Sequence, residues 1–239
     1  MNNKPVYSAI LLGGFVCIGL MALGYQISKG IIHIKSLDRT VTVKGLSERE
    51  VPADIAIWPI TFQEAWNDLN DLFSSIQQKN ALVVDYLKNI GFKTREISVS
   101  PPGILDKQAA GYSSSDTFKY RYSGDSTITV YSENVGNIRE AMNRLVELGK
   151  KGIAFARQGY QTQTEFIFTK LNDIKPEMIE EATKNAREVA EKFARDSNST
   201  LGKIKRASQG QFSIGNRDNN TPYIKKVRVV STIEYYLSD

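Results

Sequence analysis

The 239-residue chain contains one cysteine, Cys17, and one histidine, His33. A single thiol excludes an intramolecular disulfide framework, a cysteine-rich zinc site and a CxxC redox pair. A single imidazole excludes zinc sites that need two histidines, and it removes most histidine-dependent acid–base chemistry. The scarcity of these two residues argues against several common classes of enzyme.

The sequence also lacks a strong excess of charge of either sign. Lys and Arg number 31 and Asp and Glu number 26, so the net charge is +5, far from the clustered basicity of a nucleic-acid-binding protein. No phosphate-binding loop, GxGxxG or GxSxG motif occurs. The run Asp218-Asn219-Asn220 lacks the glycine and the closing glutamate of a calcium loop. We therefore predict no catalytic residue, no cofactor, no metal site and no nucleic-acid partner.

One long uncharged segment is present at the N-terminus. Residues 5–28 carry no charge and lie between Lys4 and Lys29. As a helix of 1.5 Å per residue they would reach about 36 Å, enough to cross a hydrocarbon core of about 30 Å. Ala22-Leu23-Gly24 offers the small residues of a signal-peptidase site, so a removed signal peptide competes with a retained anchor. The anchor is favoured because the apolar run is longer than a usual signal h-region.

This segment divides the chain into three predicted parts. Residues 1–29 form the membrane anchor or signal peptide, residues 30–39 a linker that contains His33, and residues 40–239 one folded domain. The short, positively charged N-terminal tail is typical of export signals. We expect residues 30–239 to lie in the periplasm, anchored to the inner membrane or released after cleavage.

Beyond residue 39 the hydrophobic period changes repeatedly between strand-like and helix-like. Predicted strands cover about 40–45, 53–63, 94–99, 118–132, 153–170, 203–214 and 223–237, and predicted helices about 67–90, 135–150 and 176–197. The stripe of the last helix comprises Met178, Ala182, Ala186, Val189 and Phe193. Pro59 predicts an edge or a bulge in the second strand.

Two tripeptides recur 105 residues apart. Lys79-Asn80-Ala81 returns as Lys184-Asn185-Ala186, and Ser126-Thr127-Ile128 returns as Ser231-Thr232-Ile233. The repeats predict a duplicated strand–helix–strand–strand unit. The predicted fold class is α+β, a mostly antiparallel sheet with two long helices packed on one face, plus the N-terminal transmembrane helix. The other face of the sheet must meet water or another subunit.

The order of several segments resembles bacterial SIMPL-domain proteins over about residues 40–237. These segments are TVTVKGLSEREVPADIAIWPITF, KNALVVDYLKNIGF, EATKNAREVAEKFARDSNSTLGKI and VRVVSTIEYYL. Val41, Val43 and Gly45 match the family's first strand, whereas Leu46-Ser47 departs from its second small residue. The resemblance implies export to the periplasm or cell envelope, ring-like or channel-like homo-oligomers in some members, and in one bacterial branch a link to tolerance of oxidative stress. It implies no catalytic residues.

Two functions of different classes remain open. The first is a non-enzymatic envelope protein that acts through homo-oligomeric assembly and supports stress tolerance. The second is a periplasmic binding module whose polar loops, residues 107–116 and 215–221, hold a small ligand or an envelope protein without higher assembly. An enzyme that uses carboxylates alone is a third and weaker reading, because no paired-carboxylate spacing is recognisable. Aromatic residues on predicted strands are the candidate oligomer or partner contacts: Tyr120, Tyr122, Phe166, Phe168 and Tyr235.

Overall fold

The computed structural model describes residues 4–36, 39–110, 119–150, 152–156 and 163–238. The helices are α1 (Lys4–Ser36), α2 (Leu69–Asn89), α3 (Val135–Asn143), α4 (Val146–Lys150) and α5 (Leu171–Asp196), with a 3₁₀ turn at Thr94–Glu96. The strands are β1 (Thr40–Pro52), β2 (Ile55–Trp66), β3 (Ile97–Val99), β4 (Gly103–Asp106), β5 (Tyr122–Ser132), β6 (Glu165–Ile167), β7 (Thr200–Gln209), β8 (Ser213–Asn216) and β9 (Ile224–Ser238). The α+β class and the antiparallel pairing predicted from the sequence are confirmed.

Helix α1 contains the apolar N-terminal segment. Leu12–Gly30 is long and apolar enough to cross a membrane, and none of it is buried by the rest of the chain. Phe15 and Met21, for example, are 70% and 68% exposed. Its length and composition fit a membrane span or a signal sequence. The helix continues to Ser36, so most of the predicted linker is helical. His33 lies in this last part, where side chains are outside the described residues.

The chain divides into two compact units. Unit 1 comprises Met1–Glu48, Lys175–Ser213 and Arg228–Asp239, and unit 2 comprises Arg49–Ile174 and Ile214–Val227. The prediction of a single sheet that carries both long helices is therefore wrong, because the strands form two separate sheets. Each sheet has its own long helix, α5 in unit 1 and α2 in unit 2.

In unit 1 the strands are ordered β1-β9-β7. Strand β8, of which residues 214–216 belong to unit 2, also pairs with β9. The core joins Val43, Ile233 and Tyr235 to alanines of α5. The helix lies so close to β1 that a Cβ atom on Gly45 would stand 1.8 Å from the carbonyl oxygen of Ala182. A glycine is therefore required at this position of β1.

Small residues on α5 form the contact with this sheet. Its buried positions include Ala182, Ala186, Ala190 and Ala194. The predicted stripe was wrong in its second half, since Val189 and Phe193 are 41% and 55% exposed. The reason is steric. A helix whose backbone approaches β1 at Gly45 has room for alanine at the contact, and the larger side chains lie outside it.

In unit 2 the strands are ordered β3-β5-β2-β6, and β4 also pairs with β5. Strands β2 and β5 pair over a long antiparallel register, from Ala56 opposite Ser132 to Trp66 opposite Tyr122. Alternate β2 residues point inward to a core shared with α2, whose buried side chains include Leu72, Val83 and Leu87. The side chain of Asp68 caps α2 by accepting hydrogen bonds from the backbone N–H groups of Asn70 and Asp71.

The two sheets repeat one strand order, which supports the duplication inferred from the tripeptides. The order β3-β5-β2 in unit 2 corresponds to β7-β9-β1 in unit 1, and β5 and β9 contain the repeated Ser-Thr-Ile tripeptide. One element departs from the prediction. The strand expected before α5 is reduced to β6 in its described part and pairs with β2, while β1 takes the corresponding place beside β9.

Candidate functional site

The five aromatic residues predicted to contact another subunit lie in different environments. Tyr235 is 1% exposed and Phe166 is 7% exposed, each inside the core of its own unit. Burial also raises the pKa of the Tyr235 phenol. Tyr120, Tyr122 and Phe168 are half-buried. Only these three members of the predicted set keep ring surface that a second copy could touch.

The outer surface of the β2–β5 pair is uncharged at its centre. Ile57 lies opposite Tyr131, Pro59 opposite Thr129 and Thr61 opposite Thr127. We call these six residues the neutral face. The hydroxyl oxygens of Thr61 and Thr127 are 2.9 Å apart and share a hydrogen bond, and Tyr131 is 48% exposed. The face therefore presents β-branched, proline and tyrosine side chains that are themselves uncharged, and the exposed Glu165 of β6 lies opposite Ile57 at its edge.

The outer surface of the unit 1 sheet has the opposite character. Arg228 on β9 pairs with Glu48 on β1, with 3.4 Å between Nε and Oε1, and Lys205 on β7 pairs with Glu234 on β9 at 3.5 Å. Solvated ion pairs of this kind add little stability. They make a poor apolar docking surface, because docking would remove water from every charge.

The polar loop predicted at residues 215–221 is a turn organised by one carboxylate. Asp218 accepts hydrogen bonds from the backbone N–H groups of Asn220 and Thr221, at 2.8 and 2.7 Å, and from the Nε of Arg217 at 3.0 Å. The Thr221 hydroxyl also donates to it, and these donors lower the pKa of Asp218 to about 2. The carboxylate oxygens thus serve the turn itself.

The other predicted loop is described only in part, since residues 111–118 lie outside the described residues. At its start, Asp106 accepts from the backbone N–H of Gln108 at 2.9 Å and pairs with Arg121 at 2.8 Å. The Arg121 hydrogen bond is the main reason that the pKa of Asp106 is lowered. As in the first loop, the carboxylate accepts hydrogen bonds from residues of its own turn and from a neighbouring arginine.

A cleft of about 610 Å³ lies at the ends of β2, β4 and β5 in unit 2, and its lining includes Glu64 and Asp125. Glu64 is bound by the ammonium group of Lys79 and by the Ser75 hydroxyl, which donates at 3.0 Å. Both oxygens of this carboxylate therefore already have hydrogen-bond partners within the protein.

A second cleft in unit 2, of about 380 Å³, lies beside β6 and the start of β9. It is lined by Gln163, Thr164, Glu165, Phe166, Ile167, Asn216, Pro222 and Lys225. We call it the lysine cleft. Sequence reasoning missed it because its residues come from segments about 50 residues apart, and because alternation along β9 predicts apolar residues on the inner face, where Lys225 lies.

Metal ligands do not cluster in the parts of the chain that the structure describes, where no group of three or more His, Cys, Asp or Glu residues could hold an ion. The family model SIMPL, described as a protein of unknown function (DUF541), matches residues 41–232. This match runs from β1 into β9 and so includes both sheets. Comparison with the curated proteins finds no match.

Proposed function

The chain belongs to the SIMPL family, and from this premise we propose that it is a non-enzymatic, membrane-tethered protein of the cell envelope that acts by assembling with copies of itself. The match carries no reaction with it, because the family is described as one of unknown function. The proposal therefore depends on the surfaces of the molecule, and the neutral face is the observation that carries it.

Tethering is supported by α1. Its apolar side chains between Leu12 and Ile27 are more than half exposed, and a helix that is apolar all round is stable only when lipid or protein surrounds it. Retention in a bilayer confines all copies to one plane. Confinement raises their effective concentration, so even a weak interface can hold an assembly together.

Assembly through unit 2 is supported by the contrast between the two outer sheet surfaces. Docking the neutral face buries apolar and hydroxyl groups, whereas docking the surface of the unit 1 sheet would strip water from ion pairs such as Arg228–Glu48. A second copy of the same chain is the occupant we propose. Tyr131, at one end of the face, is 48% exposed, and tyrosine is enriched in protein–protein interfaces.

The internal duplication supplies a matched pair of variants. Thr127 in β5 and Thr232 in β9 are half-buried and lie at equivalent positions of the repeated Ser-Thr-Ile tripeptide. Thr127→Lys places a charge in the neutral face, and Thr232→Lys places the same charge on the sheet of unit 1. An unpaired charge in an interface costs about 2–5 kcal/mol, so the dissociation constant should rise at least about tenfold for the first variant only.

Light scattering on the full chain in detergent measures the effect. We expect the wild type and Thr232→Lys to show the same multiple of 26.8 kDa and Thr127→Lys a smaller mass. A wild type that stays monomeric at high concentration contradicts assembly. An unchanged mass for Thr127→Lys contradicts the neutral face as the interface. Circular dichroism confirms that each variant is folded.

The proposed role in stress tolerance is an indirect one. Cys17 is the only thiol in the chain and lies in the apolar span of α1, so no second cysteine of the chain can act as its resolving thiol. We expect Cys17→Ser to leave survival of peroxide or envelope stress unchanged. Loss of tolerance in this variant would point to thiol chemistry instead.

A binding module without higher assembly is the second candidate, and the lysine cleft is the observation that favours it. A ligand that binds only the folded state raises the melting temperature. An increase in melting temperature with ligand, for a chain whose mass stays that of a monomer, supports this candidate over the first.

A further inference from the structure

Lys225 is a buried lysine whose ammonium group forms no ion pair with a described carboxylate. Its side chain enters the lysine cleft from β9, and the residue is only 9% exposed. The ammonium group donates to the side-chain oxygen of Asn216, which uses one of its three N–H bonds. No carboxylate among the described residues lies within ion-pair distance, although the charge of Glu165 acts on it from farther away. Burial lowers the pKa of Lys225, and Glu165 opposes part of this effect.

Thr164 adds a second group that lacks a partner. The residue is 9% exposed, and its Oγ1 atom is buried with no hydrogen-bond partner among the described residues. A buried hydroxyl without a partner costs about 1–3 kcal/mol. Native structures keep few such groups, and one that lines a cleft beside a buried ammonium is accounted for if a ligand supplies the missing acceptor.

The remaining lining of the lysine cleft defines the rest of such a ligand. Glu165 is exposed and carries a negative charge at the rim. Phe166, Ile167 and Pro222 supply an apolar part. Two buried donors, Lys225 and Thr164, an exposed acceptor and apolar side chains match a molecule with a carboxylate, an adjacent ammonium group and an apolar side chain.

We propose that the lysine cleft binds an α-amino acid with an apolar side chain, whose carboxylate accepts hydrogen bonds from Lys225 and Thr164 and whose ammonium group pairs with Glu165. The volume of about 380 Å³ lies at the lower end of the range for small-molecule sites. The site adjoins the neutral face, because Glu165 of β6 lies opposite Ile57 of β2. Its test measures ligand binding and not molecular mass, so the site can be correct or wrong independently of assembly.

Equilibrium dialysis of radiolabelled L-leucine against the full chain in detergent tests the proposal. We expect saturable binding of one molecule per chain. Lys225→Met and Thr164→Val each remove a donor to a charged group and should raise the dissociation constant at least about tenfold. Lys226→Met is the matched control, because it removes a lysine from the adjacent, exposed position of β9, and it should leave binding within about twofold of the wild type.

Competition with unlabelled compounds defines the ligand class. Acetate, methylammonium and inorganic phosphate should each displace L-leucine far less well than L-alanine does. Absence of saturable binding overturns the site. Equal displacement by acetate or phosphate overturns the amino-acid assignment in favour of a general anion site. Should Lys225→Met fail to fold by circular dichroism, Thr164→Val alone decides, and unchanged binding by that variant overturns the proposal.

Discussion

At Gly45 the backbone of β1 and the backbone of α5 come closer than any side chain allows. A Cβ atom there would lie 1.8 Å from the carbonyl oxygen of Ala182 and 2.5 Å from the backbone nitrogen of Ala186. Both neighbours belong to the helix backbone, so neither can rotate away. This glycine therefore sets the distance between the helix and the sheet of unit 1.

Gly45→Ala should destabilise the protein because the helix must shift away from β1. Overpacking of this kind costs about 1–3 kcal/mol. Urea unfolding of the full chain in detergent measures the change, with Gly215→Ala as the control, since a Cβ atom at Gly215 would meet nothing within 4 Å. The control should stay within about 0.5 kcal/mol of the wild type. Equal stability of Gly45→Ala and Gly215→Ala would show that α5 can move away from β1 without a cost in free energy of unfolding.

A second residue-scale prediction concerns the pH dependence caused by Lys225. Burial lowers its pKa in the folded chain below the 10.5 of an unperturbed lysine. Between these two values the unfolded chain holds a proton that the folded chain has released, so the contribution of this residue to stability rises with pH in that window. Below the window, the full cost of burying the ammonium group is present.

Lys225→Met removes this cost and keeps most of the side-chain volume. The variant should be more stable than the wild type at neutral pH, and its advantage should shrink as the pH rises toward that of unfolded lysine. Urea unfolding at both ends of the window provides the comparison, and Lys226→Met controls for the loss of one positive charge. An advantage that is the same at every pH would mean that better packing, and not titration, stabilises the variant.

At the scale of elements, α5 shows what a helical pattern in the sequence can and cannot predict. The period of the helix and its first buried residues, Met178, Ala182 and Ala186, were predicted correctly. The continuation was not, because hydrophobicity favours Val189 and Phe193 over Ala190 and Ala194. Which residues of the helix are buried depends on how closely β1 approaches it. This distance is set by the tertiary structure and cannot be read from the helical period of the sequence.

Ala190→Leu tests this explanation. Ala190 is fully buried against β1 and β9, so the larger side chain should cost about 1–3 kcal/mol in free energy of unfolding. Val189→Ala, one residue earlier and 41% exposed, should change stability by no more than about 0.5 kcal/mol. Thermal or urea unfolding of both variants gives the comparison, and a larger loss for Val189→Ala would reverse the assignment of the helix face.

The strands show a similar limit. The alternation of apolar and polar residues in the sequence identified β1, β2, β5 and β9. It did not show which strand would join which sheet. The expected partner of α5 in sequence, residues 153–170, contributes only β6 in its described part, while β1 crosses from the N-terminal side to pair with β9. Long-range pairing of this kind is decided by the fit of whole faces.

The direction in which each strand residue points also determines which of the predicted aromatic contact residues are exposed. Along β9 the odd-numbered residues point inward, so Tyr235 is buried and Tyr236 is 38% exposed. The sequence identified an aromatic pair at this place, and it could not distinguish which ring faced the core. The lysine cleft was hidden for the same reason, since its lining is assembled from β6, the β8–β9 turn and β9 only after folding.

At the scale of the whole molecule, α1 is the element with the length and composition of a membrane span or a signal sequence. The sequence left a retained anchor and a removed signal peptide open, and both have the composition of Leu12–Gly30. The structure adds that the helix continues from Lys4 to Ser36 without a break. The small residues Ala22-Leu23-Gly24 lie inside this helix, whose length and composition suit a membrane anchor and a signal sequence alike.

A retained anchor, which the length of the apolar run favours over a usual signal h-region, predicts the N-terminus of the mature protein. Mass spectrometry of protein from a membrane fraction should find residues 1–28 still attached, and washing at alkaline pH should not release the chain, because about 20 apolar residues in a bilayer hold a protein effectively irreversibly. Replacing Leu20 and Met21 by aspartate should release it, since both lie near the centre of the span Leu12–Gly30, where each charge costs about 2.5–3.5 kcal/mol. A mature chain that begins at Tyr25 would instead establish a removed signal peptide. Copies would then meet only by free diffusion, and the neutral face would need to be a strong interface in its own right.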